Sequence, residues 1–197
     1  MENNKSIYGD NLPELEKACA KLSEHIGEIR ELMKSRMGMD PVEHYLTRIK
    51  GEESMKEKCV RKGLPVTTDS ALNIIKDAIG VRIVCAFVDD VYEIKDYLKN
   101  SGRYEFIEEK DYMRHAKPNG YRSYHIIIRI DRRFYAEIQL RTISMDTWAV
   151  LEHHLKYKKD IGGKTELIVN ELKRCADELA STDLSLQTIR DMILEDN

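Results

Sequence analysis

The chain has 197 residues, 42% hydrophobic and 34% charged, which is enough apolar content for one sizeable core and excludes an intrinsically disordered composition. Its 32 basic and 35 acidic residues leave a net charge of -3, which argues against a protein that coats DNA or RNA but leaves room for the local basic patch that a mononucleotide requires. Cys19, Cys59, Cys85 and Cys175 form no Cys-x-x-Cys pair, no run approaches the roughly 18 apolar residues of a membrane helix, and the first five residues lack an apolar signal core. A single cytoplasmic domain spanning 1–197, with reduced thiols and no membrane contact, is therefore expected.

The spacing of Leu15, Ala18, Cys19, Leu22, Ile26, Ile29 and Met33 predicts an amphipathic helix over 12–37, with Pro13 in its first turn and Gly38 ending it. A second helix is expected over 53–62, closing at Gly63, and a short third over 71–79, capped by Asp69 or Ser70. Gly80 separates that helix from a central strand over 81–87, rich in β-branched residues. Asp89 and Asp90 open a helix to about residue 100, followed by strands over 104–111, 124–130 and 134–140. Only Asp131-Arg132-Arg133 divides the last two, so they form a hairpin and the sheet is mixed or antiparallel, not doubly wound. Helices over 142–158 and 165–194, joined at Gly162-Gly163, complete an α+β chain.

Lys117-Pro118-Asn119-Gly120-Tyr121-Arg122-Ser123-Tyr124-His125 packs cations, donors and an aromatic around a Pro-Asn-Gly turn at the mouth of the Ile126-Ile127-Ile128 strand, a combination suited to a phosphorylated, ring-bearing ligand. Asp77 and Glu137 are carboxylates in apolar surroundings. Strand alternation places Tyr135, Glu137, Gln139 and Arg141 on one face and Ala136, Ile138 and Leu140 on the other. Two such carboxylates can hold Mg2+ while substrate phosphates supply the remaining ligands; alternatively, Glu137 pairs with Arg122 or Arg141 on a solvated face. Between Arg48 and Lys62, the residues Ser54, Lys58 and Arg61 or Lys62 share one helix face near a positive helix end, which fits a phosphate chain or an exposed ion-paired helix. Arg82, a charge inside a buried-looking strand, must meet something polar or aromatic, such as a stacked base. Gly162-Gly163-Lys164-Thr165 lacks the first glycine and strand of a P-loop, adjacent His153-His154 cannot share a helix face as zinc ligands do, and Trp148 with Met145, Leu151 and Leu155 reads as core.

Arg48-Ile49-Lys50, Asp77-Ala78-Ile79-Gly80-Val81-Arg82-Ile83, the 117–125 segment and Glu137-Ile138-Gln139-Leu140-Arg141-Thr142 together resemble the synthetase domain of RelA/SpoT-type alarmone synthetases. The resemblance covers about 41–158, the expected catalytic core, with the helices over 12–37 and 165–194 as flanking extensions. It continues through Ser144-Met145-Asp146 and Leu151-Glu152-His153, a stretch typical of the small alarmone synthetases. It implies a nucleotidyltransferase-like mixed sheet flanked by helices. It also implies transfer of the β,γ-pyrophosphate of ATP to the ribose 3′-hydroxyl of GDP or GTP, with GMP a further candidate acceptor, giving (p)ppGpp and AMP in the stringent response.

Carried over by motif, Arg48 and Arg82 sandwich adenine, and Lys50, Ser54, Lys58 and Arg61 hold the ATP phosphates. Tyr121 stacks on guanine, while Lys117, Asn119, Ser123 and His125 meet the acceptor, mostly its phosphates. Asp77 and Glu137 bind Mg2+, Glu137 also draws the proton from the 3′-hydroxyl, and Gln139 helps orient it. The resemblance further implies a homotetramer. Without a His-Asp dipeptide, alarmone hydrolysis is not expected. Nor is activation by the alarmone, since His44 and Leu46 stand where that pattern wants an aromatic and a threonine. The rival readings are a toxic relative that pyrophosphorylates adenine nucleotides or the 3′ end of tRNA, and an inactive nucleotide-sensing module on the same fold. The net charge disfavours a tRNA reader, and the presence of both Asp77 and Glu137 disfavours an inactive module.

Overall fold

The computed structural model describes residues 6–157 and 165–195. Besides two short helical turns, Gly9–Asn11 and Ser70–Ile74, the described residues form, in order, α1 (Leu12–Met37), β1 (Val42–Ile49), α2 (Glu52–Arg61), β2 (Ile79–Cys85), α3 (Val88–Asn100), β3 (Glu105–Asp111), β4 (Tyr124–Ile130), β5 (Phe134–Thr142), α4 (Ile143–Tyr157) and α5 (Thr165–Glu195). The strands form one mixed sheet in the order β1-β2-β5-β4-β3, in which only the β2/β5 pair is parallel.

Alternation along the strands sorts the sheet into two faces. Ile79, Val81 and Ile83 of β2, Ile126, Ile128 and Ile130 of β4, and Ala136, Ile138 and Leu140 of β5 are buried together with Leu15, Leu22 and Ile26 of α1 and Val91, Ile94 and Leu98 of α3. Each fully buried aliphatic side chain there contributes about 1.5–3 kcal/mol. All seven apolar positions of the first helix are buried as their spacing predicted, and Gly38 ends the helix in the left-handed conformation. The opposite face of the sheet carries Leu46, Arg48, Arg82, His125, Glu137 and Gln139, none of them fully buried.

Several expectations are revised. Residues 71–79 do not form a helix: a single π-helical turn, Ser70–Ile74, gives way to extended backbone at Ile75, and Ile79 opens β2. Pairing of Ile79 with Ile49 and with Ala136, supported by the Lys50 N–H donating to the Ala78 carbonyl at 2.9 Å, overrides local helix propensity. Gly80 accordingly lies within β2 beside Arg48, whose Cγ would make ordinary van der Waals contact, at 3.9 Å, with a Cβ added there. Phe87 is not in the strand but caps α3, its N–H held by Asp90 Oδ2 at 3.0 Å. The edge strand β1 was not foreseen, because exposed Leu46 and a bulge between Val42 and His44 blur its alternation. On α4, Trp148 and Met145 are buried as expected, but Leu151 and Leu155 are exposed. The Gly162-Gly163 connection lies outside the described residues.

α5 is fastened to β5, α4 and α3 through polar groups. Thr142 Oγ1 donates to Asp183 Oδ2 at 2.6 Å, and the Trp148 indole N–H donates to the Leu172 carbonyl at 2.7 Å. Arg190 Nη1 lies 3.0 Å from Asp90 Oδ1, with Asp89 and Asp191 also in reach. Burial pushes the Asp90 carboxyl up to about 6, against the opposing pull of the Phe87 N–H and Arg190. No helix among the described residues is long and apolar enough to cross a membrane.

Candidate active site

Two cavities open on the polar face of the sheet and share one wall, made by Asp77 and Glu137. The first, about 160 Å³, is lined by Arg48 and Leu46 from β1, Lys50 just beyond it, Arg82 from β2 and Gln139 from β5. The cross-strand register explains this convergence: Leu46 pairs with Arg82, Arg48 with Gly80, Gly80 with Glu137, and Arg82 with Gln139. Two guanidiniums thereby flank a slot over a glycine, a geometry that accepts a planar ring. Tyr8, buried at the start of the described chain, donates its hydroxyl to the Lys50 carbonyl at 2.5 Å and so anchors the backbone of that lysine. Burial, with Asp77 the next cause, raises the Tyr8 phenol.

The second cavity, about 430 Å³, is lined by five lysines (Lys58, Lys62, Lys76, Lys110 and Lys117) with Tyr112 and His125. So dense a set of ammonium groups suits a ligand with several phosphate oxygens. Lys58 and Lys50 both reach Asp77 Oδ2, at 2.5 and 2.9 Å, while Asp77 Oδ1 is buried with no hydrogen-bond partner. An orphaned carboxylate oxygen beside two displaceable ammonium groups fits a divalent cation. Among the described residues no cluster of three or more His, Cys, Asp or Glu is assembled. Mg2+ ordinarily takes one or two carboxylates and leaves its other positions to water and phosphate.

Glu137 does not pair with either arginine weighed for it, since Arg122 bonds Asp177 at 2.7 Å and Arg141 bonds Asp146 at 2.9 Å. Its neighbours are His125, with Nδ1 3.6 Å from Oε1, and Gln139, whose amide donates to Oε2 at 3.0 Å. His125 foremost, then Gln139 and Lys58, outweigh burial and hold the Glu137 carboxyl down at about 2. Arg141 Nη2 donates to the Tyr121 hydroxyl at 2.8 Å, and that hydroxyl lies 2.9 Å from His125 Nε2. A guanidinium can only donate, and a phenol oxygen can accept twice, so the direction of the Tyr121–His125 bond is set by the imidazole tautomer.

The loop between β3 and β4 is the turn that the Pro-Asn-Gly triplet predicted: Gly120 N–H donates to the Lys117 carbonyl at 2.8 Å, and Gly120 has φ +90°. Lys117 Nζ sits over two rings, 4.5 Å from the Tyr112 centroid and 4.8 Å from that of Tyr121. The structure therefore brings Arg48, Lys50, Lys58, Asp77, Arg82, Lys117, His125, Glu137 and Gln139 onto the cavity walls, with Tyr121 directly behind Lys117 and His125.

Other candidates lie elsewhere. Ser123 is wholly buried, because its carbonyl accepts the Tyr112 N–H at 2.9 Å and draws the loop inward. Asn119 accepts the Tyr121 N–H and donates to Glu152, so it shapes the turn. Ser54 and Arg61 are exposed on α2 and line neither cavity; Lys62, one helical turn beyond Lys58, takes the place expected of Arg61. Lys76, Lys110 and Tyr112 were missed, although the alternation of β3 runs directly into the last two.

A mixed sheet carrying paired carboxylates between two cation-lined cavities defines a nucleotide-binding protein of the transferase type. The family profile "Region found in RelA / SpoT proteins" matches residues 47–162. GTP pyrophosphokinase YwaC of Bacillus subtilis (strain 168) is 42% identical over 147 residues, 71% of this chain and 70% of that protein. GTP pyrophosphokinase YjbM of the same organism is 30% identical over 185 residues, 90% of this chain and 86% of that protein. The crystal structure of small alarmone synthetase 1 from Bacillus subtilis bound to its product pppGpp superposes with a TM-score of 0.80 at 29% identity, covering 91% of this chain and 94% of the other. The chain belongs to the RelA/SpoT family, within its small alarmone synthetase group.

Proposed function

We propose that this protein is a GTP pyrophosphokinase that transfers the β,γ-pyrophosphate of ATP to the ribose 3′-hydroxyl of GDP or GTP, releasing AMP and making (p)ppGpp in the cytoplasm. The observation that carries the reading is the shared Asp77–Glu137 wall between two cavities with different linings: an arginine-flanked slot for the donor base and a lysine-rich bowl for the phosphates of donor and acceptor. Arg48 and Arg82 hold adenine, Lys50 and Lys58 swing from Asp77 onto the donor phosphates, and Tyr121 with Lys117 and Tyr112 receives guanine.

In the transfer step the acceptor 3′-oxygen bonds to Pβ as the bond from Pβ to the bridging oxygen of Pα breaks, and AMP leaves with that bond's electron pair. The hydroxyl proton passes to Glu137. With its carboxyl held at about 2, Glu137 is ionised at neutral pH and is a weak base. A loose phosphoryl transition state tolerates this, because it demands positioning and charge neutralisation more than early deprotonation. Mg2+ held by Asp77 and Glu137 would neutralise charge on the transferred phosphates.

A homotetramer forms part of the proposal, supported by the exposed apolar side chains of α5, among them Leu184, Leu186, Ile189 and Met192. No hydrolase activity is proposed. The test is incubation of the protein with γ-labelled ATP, Mg2+ and, separately, GMP, GDP, GTP, ADP and tRNA, with products separated by chromatography. Labelled guanosine tetra- or pentaphosphate supports the reading; label on tRNA or an adenine nucleotide alone, or on nothing, overturns it.

A further inference from the structure

Asp146, in the first turn of α4, extends one carboxylate oxygen between two arginines. Oδ1 is 2.9 Å from Arg141 Nη1 and 3.5 Å from Arg82 Nη1. Arg82 lines the first cavity. Arg141 is almost wholly buried and lines neither cavity, yet its Nη2 donates to both the Tyr121 hydroxyl and Gln139 Oε1, each at 2.8 Å, and its guanidinium lies 5.2 Å from the Tyr121 ring centroid. A continuous polar chain, Arg82–Asp146–Arg141–Tyr121, thus joins the wall of one cavity to the aromatic behind the other, with Gln139 and Glu137 as a side branch.

We infer that Asp146 is a positioning residue through which the donor and acceptor nucleotides favour each other's binding. The inference rests on the reading above, in which the donor base takes Arg82 and the acceptor base takes Tyr121. In the free protein one oxygen serves two cations, and the longer contact, to Arg82, is the weaker. Stacking Arg82 on a base draws it away and leaves the carboxylate to Arg141 alone. Asp146 itself stays in place, since a carboxylate in the first turn of a helix is held by the helix dipole. A charge-assisted bond undivided between two donors is stronger, and in this largely water-excluded setting it polarises the bonds beyond it. Arg141 is then fixed, and with it the orientation of the Tyr121 ring and of the Gln139 amide that steadies Glu137. Thermodynamic linkage requires the reverse as well: an acceptor stacked on Tyr121 fixes Arg141 on Asp146 and so frees Arg82 for the donor base.

The test is calorimetric titration with Mg2+ of the wild type and of Asp146→Asn, using α,β-methylene-ATP, which cannot be cleaved at the required bond, and GDP. Each nucleotide is titrated alone and against a saturating concentration of the other. In the wild type each should tighten the other by the same factor, about fivefold or more. In Asp146→Asn both should still bind singly, and the factor should fall to within about twofold of unity, the size at which coupling is no longer resolved. A wild-type factor of one with both nucleotides bound overturns the inference without any variant, and so does a factor that survives in Asp146→Asn. Should Asp146→Asn not fold, Asp146→Ser removes the same carboxylate with a smaller group: both nucleotides should then bind singly with the coupling gone, and persistence of the coupling overturns the inference. Failure of the wild type to bind either nucleotide removes the functional reading and the inference together.

Discussion

Gly120 and Ala176 are in direct contact: a Cβ added at Gly120 would lie 2.7 Å from the Ala176 Cβ and 3.1 Å from the Lys173 Cα, and the backbone there has φ +90°. The glycine therefore serves two ends, permitting the turn and allowing α5 to press against the loop that carries Lys117 and Tyr121. Arg122, donating to Asp177 at 2.7 Å, closes the same contact. Gly120→Ala should cost about 1–3 kcal/mol of stability in urea unfolding, from backbone strain and overpacking. In steady-state kinetics it should raise the acceptor KM about tenfold, equivalent to about 1.4 kcal/mol, while leaving the ATP KM within about twofold.

Glu137→Gln should keep the fold and lower kcat by roughly 10²–10⁴-fold, the range for loss of a positioned acid–base group. The depressed carboxyl also carries a pH signature. Its folded value of about 2 lies below the ordinary 4.5, so the ionised form stabilises the native state above pH 4.5, and that contribution fades as pH falls toward 2. Urea unfolding at pH 7 should show the variant less stable by on the order of 1–3 kcal/mol, with the gap narrowing steadily below pH 4.5.

Lys62→Ala and Arg61→Ala separate the motif from the geometry. Lys62 lines the lysine-rich cavity and Arg61 does not. Steady-state assays should show Lys62→Ala raising a nucleotide KM about three- to thirtyfold, the range for one charge-assisted contact, and Arg61→Ala changing it by less than about twofold.

Arg190→Ala should destabilise the protein by about 3–5 kcal/mol at pH 8, because it strips the buried Asp90 carboxylate of its cation. The sign of the pH dependence follows from Asp90. Its carboxyl is raised from 3.8 to about 6, so the native state holds that proton more firmly than the unfolded chain and loses stability as pH rises through this window. Without Arg190 the carboxyl rises further, so the cost should be smaller at pH 5 than at pH 8, and adding Asp90→Asn should recover part of it. Denaturant melts across pH check both statements.

The helices and the β4–β5 hairpin were legible because their periodicity agrees with their burial: the spacing of Leu15, Leu22, Ile26 and Met33 is that of one buried face, and β4 and β5 alternate cleanly. The start of β2 was misread because Ile74 and Ile75 carry a helical spacing whose continuation is decided by partners far along the chain, Ile49 and Ala136. β1 was invisible for a related reason: an edge strand whose outward positions hold Leu46 and Arg48 serves a cavity rather than a core. At the site, the residues named by motif divide by backbone geometry. Those on regular strands, such as Arg82 and Glu137, lie where alternation puts them. Ser123 and Asn119 lie in a loop whose inward turn depends on hydrogen bonds to Tyr112 and Glu152 that no local pattern announces.

The parallel β2/β5 seam bears on how the chain reaches its working state. β5 is the last strand in the chain but the middle strand of the sheet, so β1 and β2 form one ribbon, β3, β4 and β5 form another, and the two meet along a single junction. Arg48 and Arg82 belong to the first ribbon, Glu137, Gln139 and the aromatic loop to the second, and Asp77 and Glu137 come to share a wall only once the junction closes. Joining strands some fifty residues apart in the chain is the entropically slow step of folding. Before that junction closes the first cavity lacks its β5 wall and the carboxylate pair is apart, so the site arrives only with the final closure of the sheet and is not acquired by degrees.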